Sequence, residues 1–319
     1  ELAGAAAGLP ALDAVLAKAA HENFPVGPSL LPPRLRRDLM AIYGYARFVD
    51  DIGDETDASV SERLAMLDLV DADVTRLFAG DSPTLPPLSA LAEPVRAGRT
   101  PEEPLRRLVE ANRLDQRVSD YQTFDDLRHY CTLSVDPVGR LVLSCVGLAT
   151  PERVALSDQV CTGLQLVEHW QDVAEDHRRG RIYLPQDDLR RFGVCDADLA
   201  AEHASPSLRA LLAFETARAR KLLDAGPPLV TSMRGAAKLA VAGFVAGGRA
   251  ALHAITAADF DVLPGPPKPT KPRTAREAIG VLLTREAASG PPSPPTSPPR
   301  TPSASEAWCR RRRTSPTAF

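Results

Sequence analysis

An all-α fold is what the sequence predicts, and three observations predict it. Apolar residues recur at helical spacing along most of the chain up to about residue 263. Alternation of the kind a strand needs is hardly seen between turn signals, and prolines, glycines and capping residues fall where helices would start and stop.

Taken in order, Leu12, Val15 and Leu16 place a short helix within residues 1–20. The stretch 21–33 ends it, because Pro25, Gly27, Pro28, Pro32 and Pro33 interrupt amide bonding. Helical pattern resumes at Arg34 and runs through Leu39, Ile42, Tyr43 and Phe48 to Asp54. Further helices are expected at 60–78, 88–96 and 101–117, the last with proline in its first turn. Thr123 caps a helix that should continue to Gly147 with a kink at Pro137. Residues 151–179 read as one long helix stopped by Gly180. A loop and a short helix follow in RIYLPQDDLRRFGV, then two long helices at 205–225 and 229–256. The most apolar window, Leu239 to Gly248, is too short to span a bilayer and reads as a buried helix. Residues 1–263 therefore form the expected domain. Residues 264–319 are a Pro/Ser/Thr-rich tail with one short helix at 275–288, otherwise expected to be disordered, and with a basic run at Arg310–Arg313.

At 319 residues, 44% apolar and 25% charged, the chain has an ordinary globular balance. A formal charge of −3 gives no reason to expect a nucleic-acid partner. Five cysteines form no metal-ligand pattern and no even disulfide framework, and no secretory signal is visible, so a reduced, cytoplasmic setting is expected. Nucleotide-binding glycine motifs, HExxH and GxSxG are all missing from the sequence.

Chemistry concentrates on two stretches. On the first, Tyr43, Arg47, Asp50 and Asp54 fall at i, i+4, i+7 and i+11, one helix face, with Asp51 beside it and Ile42, Val49 and Ile52 pointing elsewhere. On the second, Gln165, Glu168, Asp172 and Asp176 share a face among Leu164, Leu166, Val167, Trp170 and Val173. One such carboxylate pair would fit a solvated acidic face. Two pairs, each on a polar seam of an otherwise apolar helix, fit divalent metal held against a diphosphate, because Mg²⁺ takes one or two carboxylates together with waters and substrate phosphates. Arg47 could grip phosphate or pair with Asp50 or Asp51. A third segment, 121–147, offers Cys131, Ser134 and Gly139 as small residues beside a kink, room for a bulky ligand. Tyr130 on it could face a cation or serve as a hydrogen-bonded core tyrosine. His169 and His177 project off the aspartate line and read as packing or surface residues.

The segments ENFPVGPSLLP, AIYGYARFVDDIGDE, FDDLRHYCTLSVDPVGRLVL, QDVAEDHRRGRIYLP with DDLRRFGV, and VAGGRAALHAI followed by DVL resemble, in order and spacing, the squalene and phytoene synthase family. The ENFPV opening and the QDVAED form favour its hydroxysqualene branch in hopanoid biosynthesis. The resemblance implies an isoprenoid-synthase helical bundle around a central active-site cavity, with Mg²⁺ on Asp50, Asp54, Asp172 and Asp176. It implies that Tyr43 and Arg47 help with the diphosphate and that Tyr130 lies near the reacting carbons. Asp51, Gln165, Glu168 and Ser134 are expected to line the substrate site. The implied reaction ionises presqualene diphosphate, rearranges its cyclopropyl ring and captures the allylic cation with water, without a reductant. Joining two prenyl diphosphates head to head is the alternative; a non-catalytic binding relative would carry eroded metal motifs, whereas both are intact. Peripheral contact with the inner face of the membrane and functional coupling to other squalene-pathway enzymes are further implications. One departure stands out: Glu168 occupies a position where many relatives have Asn, and Gln171 one where several have Arg.

Overall fold

A computed structural model of the chain describes residues 8–20, 32–54 and 56–284. The ENFPV stretch, most of the tail and Arg310–Arg313 lie outside them. Among the described residues the fold is all-α, with no strand and a single isolated parallel bridge between Asp120 and Ile182.

The first half of the chain builds one apolar core. Helix α1 (Leu12–Ala17) packs on α2 (Pro33–Asp54), which also contacts α3 (Val60–Ala79), α4 (Pro86–Arg96) and α5 (Glu102–Asp115). Ile42, Tyr45, Phe48, Val49 and Ile52 of α2 are buried against Leu67, Val70, Leu91, Leu105 and Val109, and the Tyr45 hydroxyl donates to the Leu105 carbonyl at 2.9 Å. Thus α2 buries most of its circumference, as its composition requires.

Two helices, α6 (Phe124–Ser134) and α7 (Asp136–Cys145), replace the single kinked helix expected at 124–147. Thr123 does cap the start: its hydroxyl accepts from the Asp126 amide at 3.1 Å while Asp126 accepts from the Thr123 amide at 2.8 Å. The helix stops at Val135, and Pro137 enters in the first turn of α7, where a missing N–H costs nothing. Leu141 and Cys145 join the first core and Leu143 the second, so α7 belongs to both.

The second core surrounds α8 (Pro151–Gln171), which packs on α7, on α12 (Pro206–Leu223), on α13 (Gly226–Thr231) and on α14 (Gly235–Ala257). Gly139 does not open room for a ligand as the sequence suggested. A Cβ there would lie 2.5 Å from Ser157 Oγ and 2.6 Å from Cys161 Sγ, so this glycine lets α7 and α8 approach closely.

The long helix expected at 151–179 breaks at Asp172 (φ −104°, ψ 16°), which joins α8 to the short α9 (Val173–Arg178). Glu168, Asp172, Glu175 and Asp176 crowd there, like charges one turn apart oppose the helix, and aspartate tolerates a non-helical backbone readily. The helices α10 (Gln186–Phe192) and α11 (Asp196–Leu199) follow. The expected helix at 229–256 is likewise divided, by residues 232–234 between α13 and α14. At 23 residues α14 has the length and apolarity of a bilayer-crossing segment, contrary to the shorter window read from the sequence. One side carries Val245, Ala246, Ala250, Leu252 and Ile255 into the core, whereas Leu239, expected to be buried, is 59% exposed. Finally α15 (Lys271–Leu283), starting earlier than expected, packs on α14 and buries Val281.

Candidate active site

The first acidic motif occupies the last turns of α2. Asp51, expected to touch substrate, is 5% exposed and turned to cations of its own: Arg47 Nε and Lys18 Nζ each lie 2.9 Å from its Oδ1. Of the two readings of Arg47, pairing with Asp51 is the one seen here. Asp50 is half-buried and accepts from the Asn112 amide at 3.0 Å. Burial pushes its carboxyl up to about 6, against the Asn112 hydrogen bond and with Asp54 adding to the rise. Tyr43 is half-buried one turn before Arg47. Asp54, at the helix end, is exposed.

The second motif straddles the break at Asp172. That residue stands at the N-terminus of α9 without using its side chain as a cap, so its carboxylate keeps its acceptor capacity. Burial raises it, with Glu175 adding, and burial together with Asp172 pushes Asp176 up to about 7. Glu168 is exposed on this face. His169, read from the sequence as packing or surface, is 7% exposed and stacks on Tyr183 at 3.6 Å between ring centroids. Gln165 Nε2 lies 3.2 Å from its Nε2, and its Nδ1 is 4.0 Å from Asp176 Oδ2. Burial, with Arg181 adding, holds this imidazole down at about 3, so it is neutral. His177 sits apart and pairs with Asp196 at 2.8 Å.

What joins the motifs is a segment just beyond the second. Ile182 N donates to Ser119 O (2.8 Å), Gln186 N to Tyr121 O (2.9 Å) and Asp187 N to Gln122 O (3.1 Å), laying residues 182–187 along 119–122. Arg181 is thereby delivered to the first motif, where Nη2 bonds Asp54 Oδ1 at 2.8 Å, and Nη1 lies 3.4 Å from the Tyr183 hydroxyl. Its charge also acts on Asp115 and Asp176, so one guanidinium is shared by carboxylates from both motifs. Asp115 accepts from the Tyr130 hydroxyl at 2.9 Å, and burial pushes it up to about 7 against Arg181 and Tyr130. Around it, Tyr121, Tyr130 and Tyr183 form a cluster with ring centroids 5.4 to 6.0 Å apart. The Tyr121 hydroxyl is buried with no hydrogen-bond partner among the described residues. Ser134, by contrast, bonds back to the Tyr130 carbonyl at 3.2 Å.

Asn112 and Asp115 were not singled out in the sequence, and Arg181 stood out only as one of three arginines, with Arg178 and Arg179, that follow the second aspartate pair. Leu108, Asn112 and Asp115 share one face of α5, so two polar residues on an apolar stripe were the available signal for the first two. Nothing local separates Arg181 from Arg178 and Arg179, because its partner lies 127 residues away.

Among the described residues no three carboxylate, imidazole or thiolate groups converge on a single ion position. The donor set is two pairs of crowded carboxylates, with Asp50, Asp172 and Asp176 raised by burial and by neighbouring carboxylates, which fits Mg²⁺ completed by water and phosphate oxygens. Asp50, Asp54, Asp172 and Asp176 are the residues that would hold it. Two hollows, of about 510 and 580 Å³, lie elsewhere, one rimmed by Asp71, Arg106 and Arg113 and the other by Leu35, Cys145 and Met233, and neither includes these aspartates.

A family model for squalene/phytoene synthase matches residues 17–274. A hydroxysqualene synthase of Rhodopseudomonas palustris is 34% identical over 214 residues, 67% of this chain and 72% of the relative. Phytoene synthase 1 of Solanum lycopersicum is 32% identical over 247 residues, 75% of this chain and 59% of that protein. The crystal structure of squalene synthase HpnC from Alicyclobacillus acidocaldarius superposes with a TM-score of 0.71 at 38% identity, covering 80% of this chain and 98% of that one. With a family match over most of its length, relatives above 30% identity and a shared fold, the chain belongs to the squalene/phytoene synthase family.

Proposed function

We propose that this chain is a Mg²⁺-dependent isoprenoid synthase converting presqualene diphosphate and water to hydroxysqualene and diphosphate. The observation that carries the reading is the Arg181–Asp54 ion pair, by which the segment after the second acidic motif meets the first. Diphosphate is the ligand that needs two carboxylate pairs and a cation at one place. When bound, Mg²⁺ would neutralise the leaving group and favour its departure. The protein's own part is to keep the four aspartates and Arg181 together and to line the neighbouring space with aromatic rings. The faces of Tyr121, Tyr130 and Tyr183 suit a developing carbocation, since a ring quadrupole attracts positive charge. Scission of the carbon–oxygen bond leaves the electron pair on diphosphate. The ring then rearranges, and water adds its oxygen to the cation and gives up a proton, so no reductant is consumed. The similarity to hydroxysqualene synthases supports this branch. A lipid-soluble substrate agrees with peripheral contact at the inner face of the membrane.

The similarity to phytoene synthases, spanning 75% of the chain, favours a second reading, head-to-head condensation of two prenyl diphosphates. One assay separates them. Purified protein with Mg²⁺ and no NADPH should release diphosphate from presqualene diphosphate and yield a C30 alcohol. Consumption of farnesyl diphosphate with the C30 diphosphate untouched would overturn the first reading and support the second.

A further inference from the structure

Asn112 reaches the first acidic motif from the buried side of α5. Its amide nitrogen donates to Asp50 Oδ1 at 3.0 Å and to the Leu108 carbonyl at 3.1 Å, and the residue is 4% exposed. Both neighbours are acceptors only, so the NH₂ rather than the carbonyl must face them, and the two bonds occupy both of its hydrogens. Space for this contact exists because residue 53 is glycine. A Cβ there would lie 2.1 Å from Asn112 Oδ1, and any side chain would evict the amide. One turn on, Gln116 donates to the Gly53 carbonyl at 3.1 Å and to its own helix at Asn112 O (3.2 Å). From α3, Arg63 donates to the same Gly53 carbonyl at 2.9 Å and to Thr56 O at 2.7 Å. The turn bearing Asp50 and Asp54 is therefore fixed from two sides.

The kinds of partner differ along this turn. Asp51 is met by Arg47 and Lys18, and Asp54 by Arg181, all cations. Asp50 is hydrogen-bonded by a neutral amide, and the Arg47 charge acts on it only from further off, since that guanidinium sits on Asp51. An amide fixes the direction of a carboxylate without cancelling its charge, whereas a lysine or arginine would do both.

We infer that Asn112 is a positioning residue for Asp50. It holds one carboxylate oxygen so that the other is presented to a divalent cation in a single orientation, with its full charge retained. Gly53 is part of the same device, because only its missing side chain admits the amide. The inference rests on the proposed role of Asp50 as a Mg²⁺ ligand and extends it to a residue that would never touch the metal. Partners of this kind behind a ligand change metal affinity by about 10- to 100-fold when removed.

The test is a Mg²⁺ titration of the purified chain in the presence of inorganic diphosphate, followed by melting temperature and by isothermal calorimetry. In Asn112→Leu and Asn112→Ala the Mg²⁺ concentration at half-effect should rise about tenfold or more, while the metal-free variants keep their helical spectrum and a cooperative melt. Gly53→Ala should raise it as well, and Gly53→Ala with Asn112→Ala should rise no further than Asn112→Ala alone, because both changes act through one hydrogen bond. A purely structural Asn112 would lower the metal-free melting temperature yet leave the Mg²⁺ midpoint in place, and that result overturns the inference. So does a double variant in which the two effects multiply. If Asn112→Leu fails to fold, Gly53→Ala and the double variant decide. A wild-type chain that shows no response to Mg²⁺ and diphosphate refutes the metal reading itself, and this inference with it.

Discussion

Replacing Arg181 by glutamine removes a cation shared by both acidic motifs, and the cost should depend on pH. At an effective dielectric of ~20, two charges about 4 Å apart attract by roughly 4 kcal/mol before desolvation. The Arg181 and Asp54 side chains are 23% and 42% exposed, so solvent screening reduces their direct pair to about 1 kcal/mol or less. Asp115 and Asp176 feel the same guanidinium, each adding on the order of 0.5–1 kcal/mol when ionised. Both are pushed up to about 7, so at pH 5 they are protonated and indifferent to Arg181, and at pH 8.5 they are charged and need it. The expected loss for Arg181→Gln is therefore about 2 kcal/mol at pH 8.5 and below about 1 kcal/mol at pH 5. Urea unfolding of the metal-free chain at the two pH values measures both quantities. A loss equal at both, or larger at pH 5, would show that Arg181 is not the common counter-charge of the two motifs.

Other perturbations probe separate parts of the chain. Asp176→Asn should lower turnover of the prenyl diphosphate by at least about 100-fold on the strength of its proposed metal role, with the helical spectrum unchanged; retained activity would remove this carboxylate from the mechanism. Glu215 is fully buried, accepts from Arg218 at 2.9 Å, and is pushed up to about 8 by burial, with Asp188 opposing ionisation and Arg218 favouring it. A raised folded value means that its contribution is present at low pH and is lost as pH climbs from the ordinary carboxylate range to about 8. Glu215→Gln should accordingly flatten the fall in melting temperature between pH 5 and 8, and an unchanged slope would count against it. Gly139→Ala gains about 1 kcal/mol in helix propensity but forces α7 from α8; overpacking of 1–3 kcal/mol should leave a net loss of about 1 kcal/mol in chemical denaturation.

The parts of the site that could be read from the sequence were those written in a local period. Asp50 and Asp54 stand out because α2 repeats every 3.6 residues and its apolar positions leave one polar seam. The same period misled at Asp172: spacing reports which residues would share a face if the helix continued, and the repulsion that stops it is a property of the folded neighbourhood. It misled at Gly139 too, where a small residue looked like space for a ligand and is filled by Ser157 and Cys161. Contacts between distant segments left only faint traces. Asn112 and Asp115 interrupt an apolar stripe, but their partners on α2 and α6 are fixed by how three helices cross, which no single period encodes.

The three bonds that lay residues 182–187 along 119–122 are all main-chain bonds. Amide and carbonyl groups are the same in every residue except proline, so the register of this splice is indifferent to which side chains it carries. Arg181 therefore rides on a mount that sequence drift can redecorate freely. Exchanging residues 119–122 for another proline-free tetrapeptide that keeps Tyr121 should leave the arginine aimed at Asp54, whereas a single proline at 182 or 186 should unseat it.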